Sequence, residues 1–355
     1  MKNLFVIHTQ YNLLAAMAIV QQEFKNERNI LIIFSDFKMI DGIVEKANNF
    51  FDLVYVLEGM YPASNKTWKS KAKKLPQTIN AIHSILYGEE YNRLFYVCDD
   101  AVPEIYILKE LKKRNKYLYV AWIEDGSFPY YDNHVPGNGL NKNIISRTFR
   151  LIIGRILFGK YYSYNGTTIA SNNWIDEYWV TYPKAVREKF KNRQLKEIKP
   201  LYFQNSIKSL YKGIQIDLNN RSILIAMDKI DVYKNRELVE KALNQLIEKA
   251  NAYNMTVYYK YHPKEESSVI VLDKCTEVPR NIGIEGILAT NLGKQIIIFG
   301  IKSTSLQTSS ICGFRTISLA ELVDEADPDI QKFYRKLDIK ILHEWEEINN
   351  LFSGY

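Results

Sequence analysis

The chain has 355 residues, of which 46% are hydrophobic and 25% charged, and 47 Lys and Arg against 40 Asp and Glu give a formal charge of +7. This composition excludes a disordered chain, collagen and a small disulfide scaffold, and the length predicts two domains. The three cysteines, Cys98, Cys275 and Cys312, lie far apart and are odd in number. They predict reduced core residues of an intracellular protein and no metal site. Without an apolar stretch of ~20 residues or a signal peptide, the chain is expected to be cytoplasmic.

Short apolar runs alternate with helical segments along the chain, a pattern typical of parallel α/β sheets. In the first half the predicted strands are 3–8, 30–35, 53–57, 93–98, 117–123 and 177–181, with helices at 13–24 and 67–87 and another that Pro103 opens. The second half predicts strands at 222–226, 255–261, 295–300 and 315–319, helices at 235–252, 285–292 and 304–312, and an amphipathic helical tail.

The stretch 199–221 is polar and aromatic without a clear period, and it predicts an interdomain linker. We therefore expect a Rossmann-like domain over residues 1–205, a linker over 206–221 and a second Rossmann-like domain over 222–355, facing the first across a central cleft. Ligands of open parallel sheets bind beyond the carboxyl ends of the strands. The residues that directly follow each predicted strand are therefore the candidates for a functional site.

Polar or small residues follow five of the predicted strands. They are Thr9-Gln10-Tyr11, Glu124-Asp125-Gly126, Asp228 with Asp231, His262-Pro263 and Ser303-Thr304-Ser305. Taken singly, each is explained by turn or cap chemistry: Asp-Gly forms turns, and Ser or Thr caps helices. Three of the groups belong to strand ends of one sheet, however, and the fold would bring them to one rim.

Together these residues suit transfer of a group from a nucleoside monophosphate. Hydroxyls at a helix N-terminus bind a phosphate, and the helix dipole adds a favourable field. His262 can donate a proton to the departing phosphate, while a carboxylate acts as the base on the incoming hydroxyl. This scheme is an inverting displacement that needs no metal ion. Asp327-Pro328-Asp329 is similar to a DxD metal clamp, but a proline-containing helix start explains it better.

The densest run of basic residues lies at Lys66–Lys74. A solvated face is the plainer interpretation, and a patch that contacts an anionic membrane or a polyanionic glycan is the alternative. Nucleic acid is not an expected partner, because the sequence contains no recognised nucleic-acid-binding motif.

In these features the chain resembles the bacterial sialyltransferases of glycosyltransferase family 52, which includes the lipooligosaccharide sialyltransferases. The resemblance follows the chain in order through Thr9–Leu13, Glu124-Asp125-Gly126, a helix with Arg147, Phe149, Arg150 and Gly154, Asp228, His262-Pro263, Ile284-Glu285 and Ser303-Thr304-Ser305.

The resemblance implies a GT-B architecture and inverting, metal-independent transfer of sialic acid from CMP-sialic acid to a terminal sugar hydroxyl. Galactose of a lipooligosaccharide or capsule is the expected acceptor, and α-2,3 the expected linkage. It further implies no cofactor, and a homodimer by analogy. The alternative interpretation of Lys66–Lys74 adds the inner face of the membrane to the expected cytoplasmic location.

Carried over to this sequence, the resemblance makes His262 the general acid. Ser303, Thr304 and Ser305 would bind the phosphate beside Pro263, and Glu285 would hold the ribose or cytosine. Thr9, Gln10, Glu124, Asp125 and Gly126 would lie on the acceptor side. The chain has Ala226-Met227-Asp228 where the family has a Gly-x-Pro-like step, so Asp228, Asp231 and Asp125 all stay candidates for the base.

Two further hypotheses stay open. Another donor, such as a different CMP-nonulosonate, CMP-Kdo or a UDP-hexose, would fit the same architecture. A glycan- or nucleotide-binding module without catalysis would also fit the fold.

Overall fold

A computed structural model describes residues 1–37, 42–59, 68–99, 101–131, 144–162, 170, 172–262, 265, 270 and 272–354. The described chain forms two compact units. The first unit contains the described residues of 1–129 and 133–202. The second unit contains those from Phe203 onward, together with Tyr130 and Tyr131.

The first unit is built on a sheet of seven parallel strands. These are β1 Lys2–Ile7, β2 Arg28–Phe34, β3 Leu53–Leu57, β4 Arg93–Tyr96, β5 Tyr119–Ile123, β6 Glu177–Val180 and β7 Gln194–Glu197, in the order β3-β2-β1-β4-β5-β6-β7. The central strands β1 and β2 are almost continuously apolar, as expected for strands that helices cover on both faces. Their register pairs Leu4 with Ile30 and Val6 with Ile32.

Six helices accompany this part of the chain. They are α1 Gln10–Ile19, α2 Ile43–Ala47, α3 Trp68–Leu86, α4 Val102–Arg114, α5 Ile144–Phe158 and α6 Pro200–Leu210. Helix α1 is a core helix, since all its residues from Asn12 to Ile19 are buried, and a π-helical turn over Val20–Phe24 continues it. In the centre of the unit the rings of Phe5 and Phe95 stack with centroids 4.3 Å apart.

The second unit has six parallel strands. These are β8 Ser222–Ala226, β9 Thr256–Lys260, β10 Thr276–Glu277, β11 Ile296–Gly300, β12 Arg315–Ser318 and β13 Lys340–Ile341, in the order β10-β9-β8-β11-β12-β13. The accompanying helices are α7 Arg236–Ala252, α8 Ile284–Asn291, α9 Thr304–Ile311, α10 Pro328–Lys336 and α11 Glu346–Ser353. The order places β8 between β9 and β11, so the loops that follow these three strands meet at one edge.

Helix α6 occupies the first half of the stretch 199–221 in which we expected a linker. Its buried Phe203, Ile207 and Leu210 recur at helical spacing, and polar residues between them hide this period in the sequence. The division between the two units falls inside this helix, after Tyr202.

Two smaller expectations concern the cysteines and the acidic triplet near the end of the chain. Cys98, Cys275 and Cys312 form no disulfide, and Cys312 is buried. Asp327 is the N-cap of α10, since its Oδ1 accepts hydrogen bonds from the backbone N–H of Asp329 at 2.8 Å and of Ile330 at 3.3 Å. The prediction of a proline-containing helix start is thus confirmed.

Among the helices in the described ranges, none has the length and apolar character to cross a bilayer.

Candidate active site

The loops after β8, β9 and β11 are tied together at the carboxyl edge of the second sheet. The Oδ2 atom of Asp228, two residues after β8, accepts a hydrogen bond from the backbone N–H of Lys302 at 3.1 Å, just before α9. The backbone N–H of Ile230 donates to Oε2 of Glu265 at 3.1 Å, which links the loop after β8 to the loop after β9. The sheet therefore brings Asp228, His262 and Ser303 to one rim of the second unit, as the strand order predicts.

Asp228 is a buried carboxylate inside this network. Its backbone N–H donates to the Tyr233 hydroxyl at 3.0 Å, and its carboxylate also accepts hydrogen bonds from the side chains of Tyr233 and Ser303. Burial raises the pKa of Asp228 to about 6, and the hydrogen bonds and the positive charge of Lys302 only partly oppose this rise. Asp228 thus fixes the segment that leads into α9.

Asp231 lies outside that network. Its carboxylate pairs with Lys229 at 2.7 Å and with Arg236 at 3.1 Å, and 62% of its side chain is exposed. The hydrogen bond and charge of Lys229 lower its pKa. The two acidic candidates on this loop therefore occupy different environments, although only two residues separate them.

The serine cluster begins helix α9. Ser303 is the N-cap residue, and its Oγ accepts a hydrogen bond from the Ser305 N–H at 3.2 Å. Ser303 is buried, Ser305 is partly buried and Thr304 is exposed. A short ion pair holds Lys302 in the preceding loop, because its Nζ lies 2.6 Å from Oε2 of the buried Glu325. Thr304 and the positive end of the α9 dipole thus lie at the rim.

His262 lies two residues after β9 and is partly buried. Its backbone carbonyl accepts a hydrogen bond from the Glu265 N–H at 2.9 Å, which closes a turn. Pro263, its predicted partner in the motif, lies outside the described residues. The last residue of β9, Lys260, is a buried cation that the sequence analysis missed. Its Nζ donates to the carbonyls of Tyr261 at 2.8 Å and Arg280 at 3.2 Å, and burial lowers its pKa to about 8.

Glu285 lies in the first turn of α8 and is partly buried. Burial raises its pKa, while its own backbone N–H and the charge of Lys260 oppose this rise. The same carboxylate contributes to the raised pKa values of Tyr211 and Cys312, although burial is the main cause for both groups. Glu285 therefore interacts electrostatically with Lys260 at the end of β9, with Tyr211 just after α6 and with Cys312 just after α9.

The acidic turn of the first unit follows β5. Glu124 is fully buried: one carboxylate oxygen accepts hydrogen bonds from the hydroxyl of Tyr11 and from Thr181 Oγ1 at 2.8 Å, and the other accepts from the Thr181 N–H at 2.9 Å. Gly126 takes a φ of 54°, a left-handed conformation that glycine adopts easily. Glu124 is thus a structural carboxylate that joins α1 to the loop after β6.

Asp125, the next residue, is partly exposed. Its Oδ1 accepts a hydrogen bond from Asn12 Nδ2 at 3.2 Å. Burial raises its pKa, against the opposing effects of Asn12 and the nearby charge of His8. Thr9 caps α1 by accepting from the Asn12 N–H at 3.1 Å, and Gln10 is the first residue of that helix.

His8, which the sequence analysis did not consider, lies between two carboxylates at the end of β1. Its Nδ1 is 2.7 Å from Oδ2 of Asp36, and its Nε2 is hydrogen-bonded to Glu104 at the start of α4. Burial disfavours the charged ring, but the two carboxylates outweigh this effect and raise the pKa of His8 to about 10. The continuous apolar run before His8 gave no indication of this network, because Asp36 and Glu104 come from distant parts of the sequence.

The donor atoms of His8, Cys98 and Glu104 lie within 4.8 Å of one another. Among the described residues, this is the group of His, Cys, Asp and Glu side chains that could hold a metal ion. In this group the His8 ring is hydrogen-bonded to Asp36 and Glu104.

The basic run Lys66–Lys74 lies largely outside the described residues and side chains. At its end Lys74 forms an ion pair with Glu58. Contact of this run with a membrane or polyanionic glycan, the alternative to a solvated face, therefore stays a prediction.

Several solved structures have a similar architecture. An α/β-galactoside α-2,3-sialyltransferase from Photobacterium phosphoreum superimposes with a TM-score of 0.54 at 13% identity, over 96% of this chain and 98% of that chain. The E. coli heptosyltransferase WaaC with ADP gives 0.54 at 11% identity, over 100% and 99%. UDP-GlcNAc 2-epimerase from Methanocaldococcus jannaschii gives 0.52 at 13% identity, over 100% of both chains. At such identities the likeness concerns the fold, and it confirms the predicted GT-B class with two parallel α/β domains.

The two parallel α/β domains thus belong to the GT-B fold class. The chain belongs to the alpha-2,8-polysialyltransferase family, whose model matches residues 3–319. The predicted sialyltransferase class is confirmed, whereas family 52 and the α-2,3 linkage stay predictions. None of the curated proteins compared with the chain is similar to it.

Proposed function

We propose that this protein transfers sialic acid from CMP-sialic acid to a sugar hydroxyl of a bacterial surface glycan, with inversion at the anomeric carbon and without a metal ion. The observation that carries the proposal is the network around Asp228, which fixes the capped N-terminus of α9 beside the loop that contains His262. CMP leaves with a single phosphate, so one histidine, a few hydroxyls and a helix dipole can stabilise its charge.

In this proposal the second unit binds the donor. The phosphate binds to Thr304, Ser305 and the N-terminus of α9. Ser303 positions this N-terminus, because its side chain caps the helix by accepting a hydrogen bond from the Ser305 N–H. His262 acts as general acid toward the departing phosphate oxygen. Glu285 binds the ribose or the cytosine.

Of the three candidates, we assign the general base to Asp125. A base needs an accessible carboxylate whose pKa is raised toward the working pH, and Asp125 is partly exposed with a raised pKa. Asp228 is committed to the loop that leads into α9, which supports a positioning role. Asp231 is neutralised by two cations, and its lowered pKa makes it a weaker base. Glu124 orients the turn on which Asp125 lies.

The first unit is proposed to bind the acceptor, with Thr9 and Gln10 beside Asp125. The family description favours a terminal sialic acid as acceptor and an α-2,8 linkage. A galactose acceptor with an α-2,3 linkage is the second candidate, supported by the motifs shared with the lipooligosaccharide sialyltransferases.

The proposal is tested by incubating the protein with CMP-sialic acid and either an oligosialic acid or a lactoside, and by determining the linkage of the product by NMR. Transfer that survives EDTA supports the metal-independent scheme. Turnover of CMP-Kdo or a UDP-hexose instead would overturn the donor assignment. Thermal stabilisation by CMP without turnover of any donor would identify a binding module without catalysis.

A further inference from the structure

Helix α5 presents large aliphatic side chains to solvent. Ile152, Ile153, Ile156 and Leu157 are all exposed, to 51% for Ile152 and 75% for Ile156. Their spacing of i, i+1, i+4 and i+5 places them on one side of the helix. A surface helix of a globular protein normally carries polar residues there, so this aliphatic face is unusual.

The opposite side of α5 is firmly packed, which fixes the direction of the aliphatic face. Gly154 approaches the Tyr162 ring so closely that an added Cβ would come within 2.3 Å of it. Phe158 is buried in a cluster with Ile105 and Tyr162, and Lys109 Nζ donates to the Leu157 carbonyl at 2.6 Å. The exposed face is therefore a fixed feature of the first unit.

By sequence, the segment that contains this face has a net positive charge. Residues 144–160 include Arg147, Arg150, Arg155 and Lys160 but no Asp or Glu. At the end of the helix the Lys160 ammonium lies 5.2 Å from the Trp174 ring centroid, and Trp174 packs on Tyr161 with centroids 5.0 Å apart. Tryptophan and tyrosine beside lysine are the residue types found at the boundary between lipid and water.

We propose that the aliphatic face of α5 (Ile152, Ile153, Ile156 and Leu157) docks the protein on an anionic lipid bilayer, with the helix lying in the plane of the headgroups. An aliphatic face flanked by cations is the pattern of helices that bind the surface of anionic membranes. A helix of 15 residues is too short to span a bilayer. A second copy fits this face less well, because two such helices would bring like charges together.

The test is co-sedimentation of the full chain with vesicles of phosphatidylcholine alone or of phosphatidylcholine with phosphatidylglycerol. We expect binding to the anionic vesicles that weakens with salt and is much lower on the neutral vesicles. Ile152→Ser with Ile156→Ser should weaken binding at least tenfold and leave the melting temperature unchanged, because both side chains are exposed. Leu201→Ser with Tyr117→Ser removes two other exposed apolar side chains and should bind like the wild type.

A second variant tests the charges, since Arg155→Gln with Lys160→Gln should reduce binding to anionic vesicles and its salt dependence together. Absence of binding to anionic vesicles, or equal binding by the Ile152→Ser/Ile156→Ser variant, would overturn the proposal. Conversion of a dimer to a monomer by that variant, with vesicle binding unchanged, would show that a second copy covers this face.

Discussion

Replacing Asp228 with Asn removes a buried negative charge from the network that leads into α9. The carboxylate accepts a hydrogen bond from Lys302 N–H and contacts the Tyr233 hydroxyl. Asn keeps an oxygen that can accept from the same N–H and has nearly the same shape. The substitution therefore changes the charge at this position more than the packing.

The magnitude follows from the pKa of Asp228, which burial raises from 3.8 to about 6. Each pKa unit corresponds to about 1.4 kcal/mol, so the ionised carboxylate costs the native state on the order of 3 kcal/mol above pH 6. The native state binds the proton more tightly than the unfolded state, so stability falls as pH rises from about 4 to 6 and is constant above that range. Asp228→Asn should thus be more stable than the wild type at pH 8 by up to about 3 kcal/mol and equal to it near pH 4.

Hydrogen–deuterium exchange of the amides in β8 and β11 measures this difference in the second unit alone, at a series of pH values. Asp231→Asn is the matched control, because removal of an exposed carboxylate should leave the amide exchange rates almost unchanged. A less stable Asp228→Asn protein at pH 8, or a difference from the wild type that does not vary with pH, would show that burial of the charge does not destabilise the native state. Reduced transfer in the stabilised variant would agree with the positioning role of Asp228.

Three further predictions concern the cap, the base and His8. Ser303→Ala should destabilise the second unit by about 1 kcal/mol through loss of the α9 cap, which thermal unfolding measures. Thr304→Ala should instead weaken CMP binding, measured by calorimetry, and leave the stability unchanged. A CMP affinity equal to that of the wild type for Thr304→Ala would argue against a phosphate site there. Asp125→Asn should reduce transfer by about 10² to 10⁴-fold, and the wild-type rate should rise with pH as Asp125 ionises; a wild-type rate for this variant would exclude it as the base. His8→Gln should lower the free energy of unfolding by about 3–5 kcal/mol at pH 7, since Asp36 and Glu104 then lack their cation. This loss should shrink toward pH 10 as the wild-type imidazole loses its proton. Thermal unfolding across this pH range is the measurement, and a loss that does not vary with pH would contradict a charged imidazole.

The central strands of both sheets are predictable from the sequence because they are continuous apolar runs. β3 and β8 match their predicted bounds, and the other long strands differ by one or two residues at their ends. The missed strands are β7, β10 and β13, which lie at or near the sheet edges. Their sequences, QLKE, TE and KI, are short and largely polar, since an edge strand buries little surface.

The residues at the rim of the second unit were predictable because they directly follow apolar strands, and the carboxyl ends of parallel strands share one edge of the sheet. Sequence could not distinguish Asp228 from Asp231, since the difference lies in the partners that folding supplies: Lys302 N–H for the first and Lys229 with Arg236 for the second. Lys260 was missed because a lysine at the end of a strand usually faces solvent. Its burial depends on the carbonyl of Arg280, twenty residues away.

In the proposed reaction His262 protonates the leaving phosphate of CMP-sialic acid. The direct measurement is the transfer rate of wild type and His262→Ala at saturating CMP-sialic acid with an oligosialic acid acceptor, alongside CMP binding by calorimetry. We predict that His262→Ala still binds CMP, retains its melting temperature and loses at least about 10²-fold in rate. A near wild-type rate for the folded variant would contradict the claim.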